Sequence, residues 1–279
     1  MSEDLLGTYS LIETPFLRQL AMDSFAALPP GHAMTAFMKL DVTEPLAVIA
    51  ARRADGERVS LFAHVLACVG RALAAHPELN VVRHRDGRIA RFDDVDISVP
   101  VEVRTADGPY PLQLVVRRAQ DKDASVIYQE IADAKRRYAS EGTLGEEDRW
   151  ARRMMRLARW TPRAVRLALI RRMMADAKLV KRRAGTTLVT SVGKFASIPG
   201  FVAPLDSGPR AVTFAVGSVV EEPVVRDGAI VARSCLALTS VFNHDLVDGA
   251  PAARFAARLC ELIESPEALA RGACLGGAR

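Results

Sequence analysis

His244 and Asp248 are the residues whose types and spacing could do chemistry. Histidine is the one side chain whose unperturbed pKa lies near neutrality, so it suits the removal of a proton from a thiol or hydroxyl. Asp248 stands four residues on, and Gly249 beside it allows a tight exit into the next element. The apolar, β-branched run Leu236 to Phe242 predicts a buried strand, and the chain from Ala250 onward predicts a helix. The imidazole therefore emerges from the end of a stiff strand onto the polar turn Asn243-His244-Asp245-Leu246-Val247-Asp248-Gly249. A histidine four residues before an aspartate also serves structural roles, and spacing alone does not choose between the two. A metal role fares worse, because zinc takes three or four ligands and no other His or Cys lies near in sequence.

The remaining titratable candidates point elsewhere. His64 lies beside an apolar helical stripe, as a structural histidine would, and His32, His76 and His84 flank turns or strands without an acid at a telling spacing. Cys68, Cys235, Cys260 and Cys274 show no C-x-x-C spacing, and three of them fall in apolar helix or strand patterns, so neither a disulfide framework nor a metal is expected. The chain holds no G-x-G-x-x-G, no phosphate-binding loop motif and no G-x-S-x-G nucleophile elbow.

The elements that must position the turn follow from periodicity and punctuation. Thr14-Pro15 opens a helix that Pro29, Pro30 and Gly31 end, and Ala33 to Val42 forms a strand. A short helix runs from Thr43 to about Arg53. Ser60 caps another, whose apolar residues from Leu61 to Leu73 recur at helical spacing until His76-Pro77. A hairpin turns at Asp86-Gly87, strands cover Val95 to Val103 and Pro111 to Arg117, and Ala124 to Ser140 is an amphipathic helix. Strands follow at Thr187 to Val192 and Ala211 to Val219. Asp227-Gly228 then turns the chain into the strand leading to His244. The last helix covers about Ala250 to Ile263, with a short helical tail from Pro266. Strands and helices are interspersed without regular alternation, which favours a mixed α/β sandwich over a doubly wound parallel sheet.

With 279 residues, 49% of them hydrophobic, the chain can bury a large core, and one domain over 1–279 accommodates it. No signal peptide or membrane span is apparent, so a cytoplasmic protein is expected. The net charge of +5 hides an asymmetry: Arg149 to Arg183 holds 13 Lys or Arg against one acid, Asp176, and the rest of the chain is net negative. A local basic block argues for one docking surface rather than general affinity for polyanions.

The strand, the His-x-x-x-Asp-Gly turn and the helix starting Ala250-Pro251-Ala252 resemble the catalytic motif of the dihydrolipoyl acyltransferase component of 2-oxoacid dehydrogenase complexes. That family shares its fold with chloramphenicol acetyltransferase. The resemblance runs from about Thr14 to Leu269 and includes Pro30-Gly31-His32, His76-Pro77-Glu78-Leu79-Asn80 and the strand Leu188 to Gly193. It implies a coenzyme A-dependent acyltransferase in which His244 is the general base and Thr190, or less readily Ser191, donates a hydrogen bond to the oxyanion. Read by itself, Thr190 is an ordinary strand threonine. The resemblance further implies that Asp248 pairs with Arg18 to hold the turn. It also implies a homotrimer in which His244 of one copy faces Thr190 of the next, with acyl-CoA at one end of a channel and an acyl acceptor at the other.

The departures are specific. The family usually carries Asp before the histidine and Arg after it, whereas Asn243 and Asp245 stand here. No lipoyl domain is apparent, so a stand-alone form without its own lipoyl group is expected. The basic block falls in an insertion at about 146–183 that reads as a helical hairpin, Asp148 to Trp160 and Arg163 to Lys181. Such a hairpin packs on the domain or on another subunit, docks an acidic carrier or the phosphates of coenzyme A, or lies on an anionic membrane. Nucleic acid is not expected, for want of any motif. The tail from Ala270 to Arg279 lacks the apolar ending that mediates cage contacts in the family, which suggests a free trimer. The alternative to an enzyme is a non-catalytic trimeric scaffold of the same fold.

Overall fold

The computed structural model describes residues 10–28, 31–105, 108–141, 153–154, 156–193, 199–205 and 208–269. In chain order the elements are α1 (Phe16–Ala27), β1 (Ala33–Asp41), α2 (Thr43–Ala54), α3 (Leu61–Ala75), β2 (Val81–Arg83) and β3 (Ile89–Arg91). They continue with β4 (Ile97–Thr105), β5 (Gly108–Val116), α4 (Ala124–Glu141), α5 (Arg163–Met174) and α6 (Ala177–Ala184). The last four are β6 (Thr187–Ser191), β7 (Val212–Arg226), β8 (Ala229–Asn243) and α7 (Gly249–Glu264).

Among the described residues six strands form one sheet in the order β1-β8-β7-β6-β4-β5, and β2-β3 is a separate hairpin. Strand β6 runs parallel to both β4 and β7, and the other pairings are antiparallel. The sheet is therefore mixed, and with its helical layer it makes the α/β sandwich expected from the element order. Alternation sends Val189, Phe214, Leu238 and Phe242 to one face, where they meet Leu66, Leu73, Phe255 and Leu259 of α3 and α7. Phe255 meets Phe214 at a tilt and Phe242 edge to face, at centroid distances of 6.0 and 6.1 Å. Each such side chain, fully buried, contributes roughly 1.5–3 kcal/mol, so this layer holds the β8 end of the sheet rigid beneath the turn.

Strand β7 runs seven residues past its expected end at Val219. The sequence Glu221-Glu222-Pro223 suggests a stop, yet β6 ends at Ser191 opposite Val216, so the later part of β7 is paired only with β8. Pro223 has no N–H to offer, and on that unpaired side none is needed. Asp227 and Gly228 close the hairpin with φ of 50° and 78°, the positive pair that a two-residue turn matching strand twist requires.

Other boundaries differ from expectation as well: β4 runs from Ile97 to Thr105 and β5 starts at Gly108, three residues before the expected Pro111. Helix α1 starts at Phe16 because Pro15 is extended, with ψ of 144°, and Thr14 supplies no side-chain cap. The single helix expected over 163–181 is two helices. Asp176 adopts an extended conformation and its carboxylate accepts from the N–H of Lys178 and Leu179, so it ends α5's run and caps α6. Residues 148–152 and 155 of the hairpin's first arm and the 270–279 tail lie outside the described residues. Ser60 caps α3 as expected, its Oγ accepting from the Ala63 N–H at 3.2 Å.

Helix α1 packs on α5 through a buried carboxylate: Asp23 accepts from Arg163 and Arg166 at 2.8 Å each, which holds it below the usual carboxylate range. Helix α6 instead joins the β2–β3 hairpin in a small second core of Val82, Ala177 and Val180 flanked by Ala90, Phe92 and Met174. Gly185 follows α6 at φ 68°, and a Cβ there would stand 2.4 Å from the Asp96 carbonyl oxygen, so only glycine lets α6 pass this close to β4.

Candidate active site

Strand β8 ends at Asn243, and the chain turns at once: the Asn243 carbonyl accepts from the N–H of Leu246 at 3.0 Å and of Val247 at 3.1 Å. Asn243 is only 1% exposed, and both ends of its amide are used. Its Nδ2 donates to the Gly208 carbonyl at 3.0 Å, and its Oδ1 accepts from the Asp245 N–H at 3.0 Å. A carboxylate at this buried position could not donate to Gly208, which is a physical reason for asparagine here.

His244 follows with its side chain 48% exposed, while its backbone N–H donates to the His32 carbonyl at 2.6 Å. The ring is thus open to a substrate and its Cα is fixed. Asp248 occupies the N-cap position of α7 without a side-chain cap bond. Its carboxylate is 87% exposed and stands 3.9 Å from His244 Nδ1, beyond hydrogen-bond range. The pairing of Asp248 with Arg18 is not made: α1 is drawn towards α5 by Asp23, and Arg18 is exposed on it. Gly249 opens α7 with no positive φ, and nothing lies within 4 Å of where a Cβ would stand, so this chain's own packing does not demand glycine there.

The paired acid of the turn is Asp245. Its Oδ1 lies 2.8 Å from His32 Nδ1 and its Oδ2 accepts from Arg83 at 2.6 Å. These two bonds, His32's first, hold its carboxyl below the usual carboxylate range. The unusual negative charge beside His244 is therefore met by two neighbours. Sequence reasoning missed His32 and Arg83 because their partner is 213 and 162 positions away, and no local spacing announces such a contact.

Thr190 lies on β6, paired with Ala215, which is paired in turn with Thr239. It is half-buried and points away from the helical layer, whereas Ser191 alternates with it and shares the side of buried Val189. That separates the two hydroxyl candidates. His244 is five residues beyond Thr239 and two strands from β6, so at strand rise and spacing the two groups stand roughly 15–20 Å apart in one chain. The structure does not bring Thr190 and His244 together within a single copy. On the Thr190 side of the sheet a cavity of about 230 Å³ is lined by Lys39, Phe201, Val220, Glu222, Cys235 and Ala237, among others. Among the described residues no group of three or more His, Cys, Asp or Glu could hold a metal, and no helix is long and apolar enough to cross a membrane.

The chain matches the family model for the catalytic domain of 2-oxoacid dehydrogenases acyltransferase over residues 29–149 and 169–271. The match is interrupted at 150–168, within the basic stretch. Among curated proteins it is 24% identical over 240 residues to the lipoamide acyltransferase component of the branched-chain alpha-keto acid dehydrogenase complex of Bacillus subtilis, covering 84% of this chain and 47% of that protein. It is 26% identical to the acetyltransferase component of the pyruvate dehydrogenase complex of Zymomonas mobilis, covering 84% and 43%. The chain thus spans less than half the length of these relatives. Among solved structures, Azotobacter vinelandii dihydrolipoamide acetyltransferase superposes with a TM-score of 0.71 at 22% identity, covering 96% of this chain and 97% of that one. The cubic core of a pyruvate dehydrogenase multienzyme complex superposes with a TM-score of 0.68 at 21% identity, covering 95% and 96%.

Proposed function

The chain belongs to the family of 2-oxoacid dehydrogenase acyltransferase catalytic domains, and from that premise we propose that it moves an acyl group between a coenzyme A thioester and an acceptor, with His244 as general base. His244 takes the proton of the attacking thiol, and the thiolate adds to the thioester carbonyl. The Thr190 hydroxyl donates to the oxyanion that forms, and one such donor is worth about 3 kcal/mol. Collapse of the adduct expels the second thiolate, which is protonated by the imidazolium with the proton that came from the attacking thiol. For the Azotobacter acetyltransferase, a serine, a histidine and an asparagine have been studied for their role in the catalytic mechanism. The motif here offers Thr190, His244 and Asp248, with threonine keeping the hydroxyl.

The observation that carries this reading is the His244 turn: an open imidazole on a backbone held by Asn243, His32 and Asp245. The separation of Thr190 from His244 supports a site shared between copies, in a homotrimer. Non-catalytic scaffolding gains support only if Asn243 and Asp245 disable the turn, and each has a structural partner that argues otherwise.

Subunit complementation tests the whole proposal. His244→Ala and Thr190→Val chains alone should each transfer from acyl-CoA at about a hundredth of the wild-type rate or less. Random 1:1 assembly of the two variants pairs an intact His244 with an intact Thr190 at about a quarter of all head-to-tail interfaces, so activity should return on mixing. Mixed trimers as inactive as their parents would sink the shared site. Equal turnover by wild type and His244→Ala would remove the histidine from the mechanism.

A further inference from the structure

Arg83, which reaches Asp245, comes from a hairpin that two three-residue strands would not hold by themselves. Its rigidity comes from α6. Val82, fully buried, packs on Ala177 and Val180. Just beyond it the hairpin is hydrogen-bonded: His84 Nδ1 accepts from the Ala177 N–H at 3.1 Å, and the Arg83 N–H donates to the Pro209 carbonyl at 2.7 Å. Helix α6 is in turn fixed at both ends. Asp176 caps its first turn, while Arg117 and Arg210 donate to the Lys181 and Ala184 carbonyls at 2.9 and 2.6 Å.

Asp245 receives this mount directly beside the reactive ring. One carboxylate oxygen takes Arg83, the other faces His32, and the carbonyl of that same His32 accepts from the His244 N–H. Residues 244 and 245 are consequently gripped by His32 at two points, backbone and side chain, with Arg83 as a third. Asn243 shapes the turn through its carbonyl and amide, but none of its bonds reaches the Asp245 carboxylate, which only His32 and Arg83 hold.

We propose that Asp245 is a positioning residue for His244, and that the α6–hairpin core exists to present Arg83 to it. The proposal rests on the reading of His244 as general base. Removal of the carboxylate lets the imidazole wander by fractions of an ångström, and misplacement by about 1 Å costs up to a hundredfold in rate. Substrate binding should barely notice.

The test compares Asp245→Ala, Arg83→Ala, the double variant and Val180→Ala in acyl-CoA turnover, alongside hydrogen exchange of the peptide spanning 243–247. Asp245→Ala should lose roughly ten- to a hundredfold in kcat with KM within about twofold, and the double variant should fall no further, because the two residues act as one unit. Val180→Ala, confined to the second core, should lose a few-fold by the same route. A swap combining Asp245→Arg with Arg83→Asp should recover part of the loss, which a merely structural defect would not. Exchange at 243–247 should rise in Asp245→Ala while the melting temperature and other core peptides hold. Wild-type turnover by Asp245→Ala, or strict additivity with Arg83→Ala, overturns the proposal. Should wild type transfer no acyl group at all, the functional reading fails by itself, and exchange at 243–247 still judges the clamp: no change in Asp245→Ala overturns it.

Discussion

His64 and His244 are the same side chain given opposite fates. His64 sits in α3 with no exposure, one ring nitrogen donating to the Ile263 carbonyl at 3.0 Å and the Cys68 thiol packed on the ring. Burial pulls its pKa down to about 4, so near neutrality it is an uncharged strut between α3 and α7. His244 has its backbone pinned and its ring half-exposed at a strand end. Proton traffic needs the second arrangement and stability needs the first. Chemistry and folding should therefore separate cleanly between the two.

The largest expected effect is on rate at His244. His244→Ala should lower acyl transfer by about 10²–10⁴-fold, the range of a positioned general base, with a melting temperature close to wild type because the ring is half-exposed and outside the core. Substantial unfolding of the variant would erase the contrast. Next comes Thr190→Val, which keeps the strand's β-branched shape and removes only the hydroxyl. A loss of roughly a hundredfold in kcat is expected, and Ser191→Ala, on the helix-facing side, should lose little. The reverse ranking would move the oxyanion donor to Ser191.

His64 supplies the mirror image. His64→Ala should leave turnover near wild type while costing about 2–4 kcal/mol, from the cavity and the orphaned Ile263 carbonyl. Its linkage to pH has a definite sign. The unfolded histidine binds a proton below pH about 6.5, whereas the folded one does so only below about 4. Between those values the unfolded state holds more protons, so stability rises with pH at up to about 1.4 kcal/mol per unit and flattens above the window. Denaturant unfolding at a series of pH values should show that slope in wild type and lose it in His64→Ala. An unchanged slope would place the linkage on another group.

The sequence made the difference between these histidines legible, because one falls in an apolar helical stripe and the other after a β-branched run. The mixed sandwich, the Asp227-Gly228 turn and the Ser60 cap were legible for the same reason: each is encoded within a few residues. What could not be read is what long-range packing decides. Asp245 looked like a charge reversed against the family pattern, and only the fold brings Arg83 and His32 to it. Asp176 looked like one acid in a basic helix, and only its local geometry shows that it starts a new one. Arg18 was expected at Asp248 by resemblance, but the buried Asp23 draws α1 to α5 instead.

The smallest effect discriminates most about assembly. Gly249 stands at the first position of α7 with ordinary φ and open space where a methyl group would go. In an isolated copy, Gly249→Ala should therefore stabilise by roughly 0.5 kcal/mol through helix propensity and lost unfolded-state entropy. Its family motif nonetheless places glycine beside the aspartate. If that space is filled by a substrate or by an adjacent copy, the methyl group collides and the sign reverses: transfer slows or the trimer weakens while the dissociated chain gains. Melting curves and sedimentation of the same variant would separate the two cases, and a gain in both stability and activity would leave the Gly249 side of the turn facing solvent even in the working assembly.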